Sequence, residues 1–303
     1  MHSTEPVAEV LDVRGALRQA MARLGEASVA SHGLAAELLL MHVLGCERAW
    51  LYGHPEQSVA PALAERYFAL VAQRVAGMPT QYLTGRQEFW GLEFEVTPDV
   101  LIPRPETEHV VEVALERLGP ARVGAGLRIA DLGTGSGCLA VALARELPGA
   151  FVIAADISPA ALAVAQRNAA RHGLAGRIQF IASNLLDAFL HQSLDKSRPS
   201  RLFDLIVSNP PYIGRRDAAC LPREVGQHEP DAALFAGELG FELYPPLVRQ
   251  AEKLLVPGGT LVLELSYNAL ARVRPLFGPK TWKEMDMTHD LAGIPRVIAA
   301  ERI

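Results

Sequence analysis

At residues 208–212 the chain reads "SNPPY", directly after the apolar run "FDLIV". Proline brings no N–H to a strand ladder, so a sheet stops here. The residues at this stop can do chemistry. The side-chain oxygen of Asn209 and the backbone carbonyl of Pro210 are both acceptors, and together they match the two hydrogens of a planar –NH2 group. Pro210 and Pro211 hold that carbonyl at little entropic cost, and Tyr212 offers a flat wall. An amide or an exocyclic base amine suits such a clamp. The plainer alternative is a proline-terminated strand whose asparagine closes a turn.

A second constellation lies in "IADLGTGSGCLAVALA", which reads as a strand, a glycine-rich turn and a helix. Gly133, Gly135 and Gly137 permit a tight turn with backbone close to a ligand, and the helix start beyond supplies unpaired N–H groups. Asp156 comes nineteen residues after Gly137, at the end of the next strand. A carboxylate there can accept from both ribose hydroxyls of an adenosine-type ligand. The spacing is G-x-G-x-G, with Asp131 two residues before Gly133. A dinucleotide fold would show G-x-G-x-x-G and a P-loop would end in Gly-Lys-Ser/Thr; neither is present. Glycines serving packing alone are the alternative, and the strand, helix and acid in register weigh against it.

Both constellations need strand ends to hold them. From about residue 109 the pattern is β-α-β-α, with candidate strands "LRIADLG" (127–133), "FVIAADI" (151–157), "RIQFIAS" (177–183), "FDLIVSN" (203–209) and "GTLVLELS" (259–266). Buried apolar strands alternating with helices imply a parallel, doubly wound α/β sheet. "TWKEMDM" and "RVIAAERI" are candidates for final strands. Ligands of such sheets bind outside the carboxyl ends of the strands, so Asn209–Tyr212 and the glycine loop face one crevice. The third strand ends in "IASNLLDAF", where Ser183, Asn184 and Leu185 either edge that crevice or form an ordinary turn.

Residues 1–85 read as helices only. Val7, Val10, Leu11, Leu17, Met21 and Leu24 recur at helical spacing, with Gly25 as the expected stop. "SHGLAAELLLMHVLG" comes next, with Ser31 as N-cap and Gly45 as terminator; "PALAERYFALVAQRVAG" begins with Pro61 in a favourable first turn. Residues 86–108 read as a β-hairpin turning at Gly91, then a proline-fixed segment that joins the helical part to a sheet domain over 109–303. "HQSLDKSRPSR" (191–201) is a polar loop.

The glycine loop with its acidic partner resembles motif I of the class I S-adenosylmethionine-dependent methyltransferases. That resemblance implies a mostly parallel seven-stranded sheet. It also implies S-adenosyl-L-methionine held by Gly133, Thr134, Gly135, Ser136 and Gly137. Asp131 would lie near the methionine end, Asp156 on the ribose, and Asn184 and Leu185 at the adenine. Amide and base nitrogens are poor nucleophiles, because the lone pair is delocalised. Two acceptors can aim that lone pair at a methyl sulfonium and stabilise the charge growing on nitrogen.

The whole chain resembles the HemK/PrmC family of protein-(glutamine-N5) methyltransferases. The segments that carry this are the helical N-terminal part, "YLTGRQEFWGLEFEVTPDVLIPRPETE" (82–108), "DLGTGSG", "IVSNPPYI", "HEPDAALFAG" (228–237), "GGTLVLE" and "DLAGIPRVI" (290–298). "IPRPETE" is the most discriminating, since related ribosomal-protein methyltransferases typically diverge after "PR". The resemblance implies methyl transfer to the glutamine of the Gly-Gly-Gln motif in class 1 peptide chain release factors. Asn209, Pro210 and Tyr212 would be catalytic and Pro211 would complete the substrate clamp, with Asn209 also near the methyl donor. The N-terminal helices would dock the release factor. Arg104 and Glu106 would either meet substrate at the mouth or form a linker salt bridge, and His228 reads as structural or as a rim contact. One departure is visible: "LELSYNAL" places Ser266 and Asn268 where members commonly carry a glycine and often a glutamine.

Composition fits this reading. The 303 residues are 50% hydrophobic and 21% charged, enough for one large domain or a large and a small one. A net charge of −5 gives no global pull towards nucleic acid or membrane. It weighs against the main alternative, a DNA or RNA amino-methyltransferase using the same clamp. N5-glutamine methylation of a ribosomal protein is another, and a non-catalytic binding scaffold is a third. Cys46, Cys138 and Cys220 are too scattered for a zinc or disulfide framework, and the histidines suggest no metal cluster. With no apolar run near the ~18 residues of a membrane span, and no leader pattern at the start, the expected compartment is the cytoplasm.

Overall fold

Asp12 starts the first helix: its Oδ1 accepts from the Gly15 N–H at 2.7 Å, a side-chain cap for an otherwise orphaned donor. The computed structural model describes residues 11–119, 126–190, 202–283 and 285–303. Val7, Val10 and the polar loop 191–201 therefore lie outside the described residues. Helix α1 (Val13–Glu26) buries Val13, Ala16, Ala20 and Leu24. Gly25, expected to end it, lies inside it. The residue that closes the helix is Ser28, left-handed at φ 56°, with the Val29 N–H returning to the Leu24 carbonyl at 3.0 Å in the pattern of a Schellman cap.

Helix α2 (His32–Leu44) is next and ends at Gly45 with φ 65°, as expected. Ser31 sits at its N-cap position but makes no side-chain cap bond. The short α3 (Arg48–Gly53), then α4 (Pro61–Val75) and α5 (Thr80–Thr84), complete a helical unit over residues 11–85. Leu39, Leu40, Tyr67 and Val71 join the α1 residues in one core. A later segment, Arg223–His228, belongs to this same unit. Within it the buried Arg74 guanidinium pairs with Glu224 and donates to the Met78 carbonyl at 3.1 Å.

The second unit spans Arg86–Pro222 and Glu229–Ile303. Its hairpin, β1 (Arg86–Phe89) and β2 (Leu92–Glu95), turns on Trp90 and Gly91 with φ of 55° and 67°, the two-residue geometry that suits the twist of paired strands. A 3-10 turn (Pro105–Thr107) then leads into α6 (Glu108–Leu118). Glu108 Oε1 holds the Trp90 N–H at 2.7 Å.

The sheet domain runs β3 (Arg128–Leu132), α7 (Cys138–Glu146), β4 (Phe151–Asp156), α8 (Pro159–Arg171), β5 (Ile178–Ala182), α9 (Asp187–Leu190) and β6 (Phe203–Ser208). It continues through α10 (Arg223–His228, of the first unit), α11 (Asp231–Leu234), α12 (Tyr244–Leu254), β7 (Leu255–Glu264), α13 (Leu270–Val273), β8 (Asp286–His289) and β9 (Pro295–Glu301). The strand order is β5-β4-β3-β6-β7-β9-β8. Pairs among β3 to β7 are parallel, and β9 runs antiparallel to both its neighbours. The expected run "TWKEMDM" yields a strand only from Asp286; Trp282 ahead of it is a buried core residue making a single bridge to Arg302.

Side-chain alternation explains why the sheet is covered on both faces. Ile129, Val152, Leu205, Val207 and Val262 enter one core with α6 and α7. Ala130, Ile153, Ile206, Leu261 and Leu263 enter the other with α12. After β5 the chain returns to the far side of β3, so the order reverses between β3 and β6. A crevice at the carboxyl ends is the consequence.

Candidate active site

Register brings the two constellations together. Leu132 pairs with Ser208 and Ser208 with Leu263, so Gly133, Asn209 and Glu264 stand side by side at the carboxyl ends of their strands. The Ser208 hydroxyl donates to the Leu132 carbonyl at 2.7 Å, locking the first two together.

The glycine loop is built from within. Asp131 is fully buried, and its Oδ2 accepts from the Thr134 hydroxyl at 2.6 Å and the Ala140 N–H at 3.1 Å. Burial pushes this carboxyl up to about 7, against the pull of those two donors. Gly133, Gly135 and Gly137 all have positive φ. A Cβ on Gly137 would meet Ala165 of α8 at 3.0 Å, so this glycine serves helix packing. A Cβ on Gly133 or Gly135 would have nothing nearer than 3.9 Å, so these two leave bare backbone beside open space.

Asp156 faces that space and also ties the loop, its Oδ2 accepting from the Gly135 N–H and its Oδ1 from the Ser158 N–H, each at 2.9 Å. A carboxylate has about four acceptor sites, so two stay open. Buried Asn168 of α8 joins the loop to the hairpin: its Nδ2 donates to the Ser136 and Glu95 carbonyls at 2.9 and 3.0 Å, and its Oδ1 accepts from the Glu95 N–H at 2.7 Å.

A cleft of about 340 Å³ lies over these strand ends, within the usual range for small-ligand sites. Gly133, Gly135, Asp156, Ser183, Asn184, Leu185, Asn209 and Pro211 line it. Asp131, Thr134, Ser136 and Gly137 stand behind as framework, and Pro210 and Tyr212 are likewise outside the lining. Leu185 is left-handed at φ 50°, a strained state for a branched side chain. Gln250 supports the turn, accepting from the Leu186 N–H at 2.7 Å and donating to Asp187 at 2.8 Å. Leu101, which opens the segment "LIPRPETE" expected at the mouth of the site, lines the cleft too, and sequence reasoning did not single out Asp99, Ile157 or Phe235, which do the same. Ile157 is a large apolar side chain left 63% exposed directly after Asp156; an apolar residue ending a strand at that point is the signal that could have found it.

The clamp segment has its own supports. Asn209 Nδ2 donates to Thr107 Oγ1 at 3.0 Å, so its Oδ1 is the atom left to accept. Among the described residues nothing donates to the Pro210 carbonyl. The Tyr212 hydroxyl donates to Glu264 Oε1 at 3.2 Å. Glu264 is 1% exposed, and burial pushes its carboxyl up to about 7 despite the bond from the Tyr212 hydroxyl. Beyond the clamp, Ile213 exchanges backbone bonds with Leu234 and Ala236 at 2.9 and 3.0 Å. That lacing attaches "HEPDAALFAG" to "NPPYI". Arg104 pairs with the buried Glu229 at 2.6 Å, so of its two expected roles the structure shows the salt bridge. Ser266 donates to Asn268 at 2.9 Å, closing its loop on itself. Cys138, at the start of α7, has its thiol pushed up to about 12 by burial and is no nucleophile.

Residues 15–85 match the family model of the PrmC N-terminal domain, and residues 124–291 match a methyltransferase domain. A release factor glutamine methyltransferase of Koribacter versatilis is 42% identical over 292 residues, covering 96% of this chain and 99% of that protein. The chain belongs to the release factor glutamine methyltransferase family. Relatives of the same name from Nitratidesulfovibrio vulgaris and Chlorobaculum tepidum are 40% and 42% identical, covering 96% and 90% of this chain and 95% and 92% of theirs. At the level of fold, the chain is similar to the hMettl16 catalytic domain in complex with a MAT2A 3′UTR hairpin. That likeness has a TM-score of 0.55 and 17% identity over 77% of this chain and 81% of that one. A 16S rRNA methyltransferase of T. Thermophilus (RsmC), in complex with AdoMet and guanosine, aligns with a TM-score of 0.50 and 24% identity, covering 72% and 50%. As a family member the chain is a methyltransferase with a class I α/β fold. Among the described residues no helix is long and apolar enough to cross a membrane, and no cluster of metal-ligating side chains occurs.

Proposed function

We propose that this chain transfers the methyl group of S-adenosyl-L-methionine to the side-chain amide nitrogen of the glutamine in the Gly-Gly-Gln motif of class 1 release factors. The observation that carries the reading is the juxtaposition of a bare glycine loop and the Asn209–Pro210 acceptors at neighbouring strand ends. The donor fits on the chain's own features. Gly133 and Gly135 leave room for close backbone approach, Asp156 keeps two acceptor sites for ribose hydroxyls, and Ile157, Leu185 and Phe235 offer apolar surface for a base. When bound, the donor supplies a methyl group on a sulfonium.

The chain's residues then orient and stabilise. Asn209 Oδ1 and the Pro210 carbonyl accept the two amide N–H bonds, turning the nitrogen lone pair towards the donor. Both acceptors gain strength as positive charge develops on nitrogen, so they favour the transition state over the ground state. Tyr212 closes one side and Pro211 the other. No strong base is needed, because the excess proton is acidic once the nitrogen has been alkylated and leaves after transfer. Such an activity belongs in the cytoplasm with the translation machinery, and its macromolecular partner is a protein, with no nucleic acid or membrane contact.

The test is methyl transfer from labelled S-adenosylmethionine to a purified class 1 release factor, with nucleic acid and ribosomal protein as competing acceptors. Label in the release factor that disappears when its acceptor glutamine becomes alanine is the expected result. Label only in nucleic acid or ribosomal protein would sink this reading.

A further inference from the structure

Beside the clamp, two apolar side chains stand in solvent. Among the described residues the most exposed large hydrophobics are Tyr267, at 71%, and Leu291, which is wholly exposed. Strand β9 runs antiparallel to β7, with Glu264 opposite Val297, so the loop after β7 and the turn before β9 lie at the same end of the sheet as Asn209. The Leu265 N–H donates to the Arg296 carbonyl at 2.7 Å and joins the two. The turn that carries Leu291 is held from within. Asp290 Oδ1 accepts from the Ala292 and Ile294 N–H groups, each at 2.9 Å, and Oδ2 from Arg296 Nε at 2.8 Å. Gly293 takes the left-handed step at φ 76°, and its N–H returns to the Asp290 carbonyl at 2.9 Å.

A single exposed leucine is ordinary; place and charge set this pair apart. The cleft is lined from residues 99–101, from the ends of β3, β4, β5 and β6, and from residues 230–243, with nothing from 265–269 or 290–296. With a methyl donor in that cleft, an attacking nitrogen must arrive on the side of the methyl away from the sulfur. The strand order puts β7 and β9 on the flank of β6 opposite β3, so the acceptor's remaining bulk falls over their loops. Across 265–269 and 290–296 the charged side chains are Asp290 and Arg296, and these pair with each other. The surface is therefore apolar and neutral, with no net charge to meet a phosphate backbone, and it suits a protein segment.

We propose that Tyr267 and Leu291 form a landing surface for the protein acceptor, taking up apolar side chains of the segment that flanks its methylated amide. The proposal rests on the methyl-transfer reading above and adds the part of the chain that meets the acceptor outside the clamp. Calorimetry of the full-length chain, saturated with S-adenosylhomocysteine, against a purified class 1 release factor tests it. Leu291→Ser and Tyr267→Ser should each raise the Kd for the release factor about 10-fold, the scale of a truncated apolar anchor, and the double variant should exceed either. The Kd for S-adenosylhomocysteine, and kcat at saturating release factor, should stay within about 2-fold, because such a contact serves ground state and transition state alike. Ile303→Ser is the control: Ile303 is exposed too but follows the far end of β9, so its loss should leave the Kd unchanged.

A wild-type Kd in the double variant, or a loss as large in Ile303→Ser, overturns the proposal, while labelling of the release factor by the wild-type protein would keep the substrate reading standing. Label in a ribosomal protein and none in the release factor overturns the substrate reading instead, and the same variants titrated with that ribosomal protein then decide the surface. Label in nucleic acid alone overturns both.

Discussion

On the proposed reading Asn209 and Asp156 divide the work of the cleft, and kinetics can separate them. Asn209→Ala removes an acceptor that matters most as charge develops on nitrogen. It should lower kcat at least about 100-fold while leaving the Kd for S-adenosylhomocysteine within a few-fold by calorimetry; equal loss in both would mean that Asn209 chiefly serves the cofactor. Asp156→Ala should do the reverse. It removes charge-assisted bonds worth about 1.5–3 kcal/mol each, so the same calorimetry should show Kd raised at least about 10-fold, and little change in kcat at saturation. At this scale the sequence makes legible whatever advertises itself locally. Asn209 stands beside two prolines, and Gly133 and Gly135 fall at fixed intervals after a strand. Thr107 and Glu264 carry no such flag. Thr107 lies 102 positions from Asn209, and Tyr212 lies 52 from Glu264, so only the folded sheet reveals these pairings.

At the scale of elements, backbone contacts hold the clamp as firmly as side chains do. Gly240 has φ 86°, and a Cβ there would stand 2.6 Å from the Tyr212 carbonyl and 2.7 Å from the Gly214 N–H. Gly240→Ala should therefore push the segment after Pro211 out of place, lowering kcat with little effect on S-adenosylhomocysteine binding; unchanged kcat would show that the segment has slack. Asn168 plays the matching part for the glycine loop. Asn168→Ala leaves the Ser136 carbonyl and the Glu95 N–H and carbonyl without their partner. Each buried loss costs about 1–3 kcal/mol, so the urea midpoint should drop measurably at constant slope. Strand positions were legible because apolar runs such as "FDLIV" and "FVIAAD" have no other stable home. Helix ends were less so. Gly25 looked like a stop, yet Ser28 supplies the left-handed residue, and the Val29 and Ser28 N–H groups close on the Leu24 and Gly25 carbonyls.

Across the whole molecule, two buried carboxyls set a pH dependence of stability. Asp131 and Glu264 are raised from ordinary values of 3.8 and 4.5 to about 7 in each case, by burial first. Between about pH 4 and pH 7 the folded chain therefore holds more protons than the unfolded one. Stability should fall as pH rises through that window and level off above it, by a few kcal/mol in sum. Glu95 and Asp290 are lowered, Glu95 by its bond to Arg167 and Asp290 by its bond to Arg296. They act in the opposite sense, below about pH 4.5. Urea unfolding at pH 5.5 and pH 8 should show the higher midpoint at pH 5.5, with the difference reduced in Glu264→Gln; a flat profile would mean that water reaches these groups.

The membership of Arg223–His228 in the helical unit has a consequence for how the protein is made. Arg74 and Glu224 are 150 positions apart, so ribosomal synthesis delivers residues 11–85 early but completes their unit only after β3 to β6 have been made. Order of synthesis and order of completion run against each other, and N-terminal helices cannot be finished as a unit before the sheet domain is under way. For the same reason, a gene cut at residue 85 yields neither unit whole: one piece lacks its last helix, and the other carries a helix whose partners are gone.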